Sequence, residues 1–306
     1  MHPVIVDNIT QNYRTKKTVV PALKGISFTV DQGEIFGIIG PDGAGKTSLF
    51  RILTTLLLAE SGNATIDGFD VVKDYKQIRN RIGYMPGKFS LYQDLSVQEN
   101  LEFFATIFNT TIEKNYNLIK DIYQQIEPFK DRKAGALSGG MKQKLALSCS
   151  LIHKPSVLFL DEPTTGVDAV SRKEFWEMLH RLKLQGITIL VSTAYMDEAS
   201  LCDRVALIQN GSILSVNTPK GITGQFGHPL WAIRASEMFR LLNVITAGAE
   251  VKSCYAFGQY HHVVFKTPEN GRQRLEEIAK QGNFKEVEIQ AIGPNIEDCF
   301  MALMNN

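Results

Sequence analysis

Cysteine is scarce in this sequence and never clustered. The 306 residues contain 4 cysteines and no C-x-x-C pair. This scatter excludes a disulfide scaffold and a cysteine-based zinc site, and it is typical of a reducing cytosol. The four residues are Cys149, Cys202, Cys254 and Cys299.

Long apolar runs and an excess of one charge are also missing. No segment approaches the roughly 20 apolar residues that a membrane-spanning helix needs, so another chain would have to cross any membrane that this protein serves. The N-terminus, MHPVIVD, lacks the basic-then-apolar pattern of a signal peptide. The net charge is +1, which offers no case for a nucleic-acid partner. We therefore expect a cytoplasmic protein.

A glycine-rich phosphate-binding motif follows an apolar run at residues 34–39. In G-x-x-x-x-G-K-[ST] the glycines allow a tight turn, and the backbone N–H groups surround phosphates. A following helix, predicted from Thr47 through Leu58, would direct its positive N-terminus at the same anion. The predicted nucleotide-binding residues of this segment are Gly40, Pro41, Asp42, Gly43, Ala44, Gly45, Lys46, Thr47 and Ser48.

Two carboxylates end a second apolar strand, predicted at 157–160. Ligands of parallel α/β sheets lie at the C-terminal ends of the strands, where the phosphate loop also emerges. Asp161 is therefore predicted to hold Mg²⁺ together with the Thr47 hydroxyl, while Glu162 would polarise the attacking water. The alternative is an acidic pair that caps the next helix.

The order of elements predicts an α/β fold with a mostly parallel sheet, preceded by a β-subdomain and interrupted by a helical insert at about 90–155. Ser96 and Glu99 form a capping box at the start of one insert helix. The predicted strands are 4–6, 25–30, 64–67, 82–84, 157–160 and 187–191, and the predicted helices are 47–58, 97–108, 112–126, 138–154 and 172–183.

A change of composition near residues 219–227 predicts a linker, so the chain divides into domains at 1–220 and 221–306. The second domain is predicted to be a small α+β unit with a βαββαβ-like pattern. Its predicted elements are strand 230–233, helix 236–245, hairpin 252–266, helix 271–281, strand 285–289 and a closing helix from 295. His261 and His262 are adjacent on a strand and face opposite sides, which favours one packed and one solvated histidine over a shared metal site.

Together these motifs resemble the ATP-binding subunit of ABC transporters over about residues 3–220. The segment after Glu162 resembles the D-loop that crosses to a partner and ends at Asp168. Tyr13 stands where the family has an aromatic residue that stacks on adenine; the alternative is an ordinary core or surface tyrosine. The residues that resemble the ABC signature are Leu137, Ser138, Gly139, Gly140 and Met141.

The resemblance implies that ATP is bound between two subunits, because the phosphate loop of one and the signature of the other hold opposite ends of it. It also implies a separate transmembrane permease that docks near residues 86–103. The protein would then lie on the cytoplasmic face of the membrane through its partners. Resemblance to drug-exporter ATPases implies export.

Two positions depart from the family pattern. Gly87 stands where the family has a glutamine that contacts Mg²⁺ and the attacking water, and Ala194 replaces the switch histidine. Neither residue has a polar side chain, so we expect good ATP binding and slow hydrolysis at this chain's own site; tolerated neutral changes are the alternative. Such a site favours a heterodimer with a second ATP-binding subunit, although a homodimer stays possible.

The sequence thus predicts the ATP-hydrolysing, energy-coupling subunit of an ABC transporter, with ATP and Mg²⁺ as cofactors. The variant resembles the first ATP-binding half of tandem multidrug-efflux ATPases. Two alternatives stay open: an ATP-binding structural partner that does not hydrolyse, and a soluble ABC ATPase without a role in transport.

Overall fold

A computed structural model describes residues 2–14 and 18–304. They form two compact units; the first ends at Pro219 and the second begins at Lys220. In the described part of the chain, no helix is both long enough and apolar enough to cross a membrane.

The first unit contains two sheets. The strands are β1 (Val4–Arg14), β2 (Val19–Val30), β3 (Ile35–Ile39), β4 (Ser61–Ile66), β5 (Phe69–Asp70), β6 (Ile82–Met85), β7 (Val157–Asp161), β8 (Thr188–Thr193), β9 (Arg204–Gln209) and β10 (Ser212–Asn217). A six-stranded sheet has the order β10-β9-β3-β8-β7-β6, in which only the β10–β9 pair is antiparallel. An antiparallel sheet of order β2-β1-β4-β5 forms the β-subdomain.

The central strands β3, β7 and β8 are buried at every position. Such strands belong to the middle of a parallel sheet that is covered on both faces, which explains why they are apolar without alternation. The predicted α/β class, with its β-subdomain and mostly parallel sheet, is confirmed.

In the described part of the first unit, six α-helices accompany these strands. One has 5 residues and the others have 8 to 16. They are α1 (Lys46–Leu53), α2 (Tyr75–Arg79), α3 (Val97–Ile107), α4 (Ile112–Tyr123), α5 (Gly139–Leu151) and α6 (Ala169–Leu184). The insert contains α3, α4 and α5. The capping box predicted at the start of α3 is present: Ser96 accepts from the amide of Glu99, whose carboxylate accepts from the Ser96 amide.

The prediction that the first helix runs to Leu58 is wrong, because α1 ends at Leu53. The Thr54 hydroxyl donates to the Phe50 carbonyl, and Thr55 has a φ of +64°. The amides of Leu56 and Leu57 then both donate to the Arg51 carbonyl, which closes the last turn. The chain cannot continue as a helix through a left-handed residue.

The second unit is an antiparallel sheet with helices. After α7 (Pro219–Gly224) come β11 (Leu230–Arg234), α8 (Met238–Thr246), β12 (Val251–Phe257), β13 (Tyr260–Phe265), α9 (Gly271–Gln281), β14 (Glu288–Ile292) and α10 (Ile296–Met304). The strand order β12-β13-β11-β14 is that of a ferredoxin-like βαββαβ unit.

Two local predictions in this part of the chain are wrong. Residues 219–224 of the predicted linker form the helix α7. The last strand begins at Glu288 instead of 285, because the Lys285 carbonyl accepts from the Ser236 amide and Glu286 has a φ of +53°. A residue in the left-handed region cannot be part of a regular strand.

Candidate nucleotide-binding site

Two glycines shape the loop between β3 and α1. A Cβ atom on Gly40 would lie 2.1 Å from the carbonyl oxygen of Ile208, and one on Gly45 would lie 2.4 Å from that of Ala22. Gly45 also has a φ of +107°, which residues with a side chain rarely adopt. Close backbone packing therefore requires glycine at both ends of the motif.

The buried side chain of Lys46 lies at the centre of the loop. Its Nζ donates to the carbonyl oxygens of Gly40 at 2.7 Å and Pro41 at 3.0 Å. The same Nζ lies 3.1 Å from Oε1 of Glu162. Lys46 is also the first residue of α1, so the ammonium, the loop and the helix N-terminus meet at one point. Such a convergence of N–H donors and positive charge suits a phosphate chain.

Asp161 brings a carboxylate to this point from the end of β7. It is 2% exposed, and Oδ1 accepts from the Ser192 hydroxyl at 2.5 Å. Burial raises the pKa of Asp161 above its usual range, while hydrogen bonds from Ser192 and Thr47 act in the opposite direction. Thr47 and Asp161 are thus neighbours, and a hydroxyl beside a buried carboxylate is a pair of hard oxygen ligands that fits Mg²⁺.

Glu162 has an unusual backbone that a neighbouring strand holds in place. Its φ is +51°, a left-handed value that is uncommon for residues other than glycine. The Glu162 amide donates to both the carbonyl and the hydroxyl of Ser192, at 3.0 and 3.1 Å. The strained turn directs the carboxylate to Lys46 rather than along the strand, and strain of this kind is concentrated at functional sites.

Ser192 was missed by sequence reasoning, although it binds both acidic residues. It is fully buried in β8, directly after the apolar run 187–191. A polar residue at a fully buried strand position must find hydrogen bonds, and that was the available signal. Thr164 was missed as well: its hydroxyl donates to the buried Glu198 at 2.8 Å and fixes the segment after Glu162.

The two positions that depart from the family pattern border the acidic pair or the loop. A Cβ on Gly87 would lie 3.1 Å from the Asp161 carbonyl oxygen and 3.7 Å from Cβ of Glu162. Ala194 follows Thr193, whose carbonyl accepts from the Gly40 amide at 3.2 Å. Side chains at either position would therefore stand beside the site.

Tyr13 is joined to the start of α1. Its hydroxyl lies 2.9 Å from that of Ser48, and the residue is 41% exposed. An exposed ring next to the phosphate loop is available for stacking, and a core role is excluded by this exposure.

The signature residues lie on other elements. The Ser138 hydroxyl caps α5 by accepting from the Met141 amide at 3.3 Å, and Ser138 and Gly139 are exposed while Leu137 is buried. A Cβ on Gly140 would lie 2.9 Å from Oγ of Ser171, so α5 packs closely against the first turn of α6.

Asp168 caps that first turn. Its carboxylate accepts from the amides of Ser171 at 3.0 Å and Val170 at 3.1 Å. These bonds lower the pKa of Asp168. The exposed Ser138 and Gly139 thus lie close to the capped first turn of α6.

Known proteins resemble this chain in sequence and in fold. Residues 23–165 match the family described as ABC transporter. The multidrug ABC transporter ATP-binding protein YbhF of Escherichia coli, so described with the qualifier "probable", is 46% identical over 205 residues, which are 66% of this chain and 36% of that protein. This chain therefore spans about a third of the length of that relative.

Two further proteins match more of their own length. The daunorubicin resistance ATP-binding protein DrrA2 of Streptomyces coeruleorubidus is 33% identical over 290 residues, 92% of this chain and 90% of that protein. The dimeric ATP-binding cassette MJ0796 with ADP and Pi has a TM-score of 0.64 and 24% identity over 70% of this chain and 98% of its own, and shares the fold. Because residues 23–165 match the ABC transporter family and DrrA2, an ATP-binding protein, is 33% identical over 92% of this chain, the chain belongs to the family of ABC transporter ATP-binding proteins.

Proposed function

We propose that the chain is an ATP-hydrolysing, energy-coupling subunit of an ABC exporter. The observation that carries this proposal is the convergence of Lys46, Thr47, Asp161 and Glu162 at the glycine loop. In this proposal residues 1–220 are the nucleotide-binding domain, with a helical subdomain at about 90–155, and residues 221–306 are an accessory domain. The names of YbhF and DrrA2 support export of a drug-like compound.

The residues divide the work of hydrolysis. The loop amides and Lys46 bind the phosphates of ATP, and the exposed ring of Tyr13 stacks on the base. Mg²⁺ bound by Thr47 and Asp161 would neutralise charge on the transferred phosphoryl group. Glu162 orients the attacking water, and its carboxylate is held beside Lys46 until nucleotide separates them.

The chain's own site binds ATP better than it hydrolyses it. Gly87 and Ala194 border the acidic pair and the loop, yet they place no polar atom there. Loss of one positioned contact in such a site lowers the rate by about 10² to 10³, and two losses in the same site need not multiply. Glu162 is retained beside Lys46, which favours slow hydrolysis over none. The second candidate is a structural partner that binds ATP and never hydrolyses it, and Gly87 and Ala194 support this candidate as well.

A partner subunit completes the machinery. Ser138 and Gly139 are exposed, as a surface for the partner's nucleotide must be. A homodimer would contain two impaired sites, whereas a heterodimer would join this chain's intact signature to one complete site. We therefore favour a heterodimer with a second ATP-binding subunit.

An exposed apolar surface supports docking of a transmembrane permease. Tyr92 and Phe103 are 51% and 37% exposed, and their ring centroids are 4.8 Å apart. Nearby, a groove of about 380 Å³ is lined by residues that include Leu56, Tyr84 and Ile107. Exposed aromatic and aliphatic side chains that cluster in this way mark interaction sites. The subunit would thus be held at the cytoplasmic face of a membrane.

A mixture of the wild-type chain with one variant tests the proposal without a known partner. The wild-type chain has an impaired site and an intact signature. The variant carries Gly87→Gln and Ala194→His to complete the site, and Ser138→Arg to block the signature. We expect the mixture to hydrolyse ATP at least about tenfold faster than either chain alone, since only the mixed dimer has a complete composite site. Normal turnover by the wild-type chain alone would contradict the impaired site.

A further inference from the structure

The second unit has a cavity on the face of its sheet that α8 and α9 do not cover. Alternation along β13 separates the two faces: Val263 and Phe265 belong to the core with α8 and α9, and the ring of His261 contacts the Met238 carbonyl of α8 at 2.7 Å. His262 and Val264 face the other side, where they line the cavity under α10.

The cavity has the size and composition of a small-molecule site. Its volume is about 330 Å³, at the lower end of the range of ligand pockets, which begins at roughly 300 Å³. Leu230 and Val264 are buried at its wall, and Met301 and Ala302 of α10 close it. Further lining residues are Phe226, Ser253 and Tyr255.

The acidic group of the cavity is already satisfied. Nδ1 of His262 lies 2.8 Å from Oδ1 of Asp298, and Oδ2 accepts from the Asn295 amide at 2.9 Å. His261 is 4% exposed and the His262 side chain 13%, so the prediction that one of the two histidines is solvated is wrong. Both carboxylate oxygens of Asp298 accept a hydrogen bond, and its side chain is only 3% exposed, so little of this group is accessible to a ligand.

The basic group of the cavity is not neutralised. Nζ of Lys252 lies 2.7 Å from Nε2 of His228 at the exposed rim. A neutral imidazole nitrogen accepts this hydrogen bond but removes no charge. Among the described residues, Lys252 forms no ion pair with a carboxylate. A cavity with apolar walls at Leu230, Val264 and Met301, and with an ammonium at its rim that has no carboxylate partner, suits an anion with an apolar body.

We propose that this cavity binds a small organic acid: its carboxylate pairs with Lys252 at the rim, and its apolar part packs on Leu230, Val264 and Met301. This inference concerns the second unit alone and does not depend on the activity proposed for the nucleotide site.

Octanoate is the probe, titrated into the full chain by isothermal calorimetry. We expect one octanoate per chain with a Kd on the order of 1 mM or lower, as ligand efficiencies allow for a molecule of this size. Octylammonium, with the same alkyl chain and the opposite charge, should bind at least about tenfold more weakly, because Lys252 repels it. Equal affinity for both probes would overturn the proposal, and so would an absence of octanoate binding.

Variants locate the binding to this cavity. Lys252→Met keeps the stem and removes the charge, and should weaken octanoate binding about tenfold. Ala302→Phe fills the cavity and should abolish binding. The matched control is Lys280→Met at an exposed position of α9, which should leave affinity unchanged. Lys252 is exposed, so its variant should fold and decides the test even if Ala302→Phe proves unstable; unchanged affinity in Lys252→Met would refute the site.

Discussion

Nζ of Lys46 lies 3.1 Å from Oε1 of Glu162, and the lysine is 3% exposed. In the proposed site this pair lies where the nucleotide phosphates would bind, so we expect bound nucleotide to draw the ammonium from the carboxylate. Lys46 also donates to two carbonyl oxygens of the loop. We therefore expect the two residues to have separable roles in binding and hydrolysis.

Glu162→Gln tests this separation. We expect ATP affinity to be retained or increased, because the amide no longer competes as an anion for Lys46. Single-turnover hydrolysis should fall at least about 100-fold, since the water loses its positioning carboxylate. Lys46→Met is the contrasting variant and should lose ATP binding itself. Hydrolysis by Glu162→Gln at the wild-type rate would exclude Glu162 from the reaction.

Gly87→Gln and Ala194→His should raise the ATPase rate of the chain. A Cβ at residue 87 meets the Asp161 carbonyl at 3.1 Å, which a small local shift relieves, and Gly87 does not have a positive φ. We expect the double variant to be about tenfold or more faster in steady-state phosphate release. Gly87→Ala adds a Cβ without the amide and serves as the control. Unchanged rates in the double variant would mean that both residues are neutral.

The local motifs could be predicted from sequence because their chemistry is contiguous. The glycine loop follows β3 directly, Asp161 is the last residue of β7 and Glu162 comes next, so strand and motif identify each other. The α3 capping box is equally local. These elements depend on residues within about four positions of one another, and over this range a sequence pattern predicts the local structure directly.

The supporting contacts depended on pairing between distant segments. Ser192 comes from β8 and holds Asp161 and Glu162, which are 31 and 30 residues away along the chain. β9 and β10 were not predicted at all, although Ile208 of β9 is the reason that residue 40 must be glycine. The order of the strands in the sheet brings these residues together, and a single sequence does not reveal that order.

Asp161→Asn should stabilise the protein near neutral pH while abolishing Mg²⁺-dependent ATP binding. Burial raises the pKa of Asp161 in the folded protein. The unfolded chain then binds fewer protons, so the free energy of unfolding falls as pH rises above the unfolded pKa of about 4. The asparagine variant avoids this loss, and its advantage should disappear on acidification below that value. Urea unfolding as a function of pH measures the difference.

Asp168→Asn is the control variant, for which the expected pH dependence of stability is the opposite. Hydrogen bonds from the amides of Ser171 and Val170 lower the pKa of Asp168, so the carboxylate contributes stability above its unfolded pKa and loses it as pH falls through the folded pKa. This variant should be less stable than wild type at pH 7 and equal to it in acid. Parallel pH profiles for the two variants would contradict both assignments.

Gly45→Ala and Gly43→Ala separate backbone strain from steric contact in the phosphate loop. Both glycines have a positive φ, +107° and +79°, so each alanine should cost about 1 to 2 kcal/mol of strain. A Cβ on Gly43 meets nothing within 4 Å, whereas one on Gly45 meets the Ala22 carbonyl at 2.4 Å. Gly45→Ala should therefore unfold at clearly lower urea concentration and lose ATP binding, while Gly43→Ala keeps measurable affinity. Equal losses of stability in the two variants would show that contact with Ala22 does not constrain the loop, and that strain alone explains the requirement for glycine.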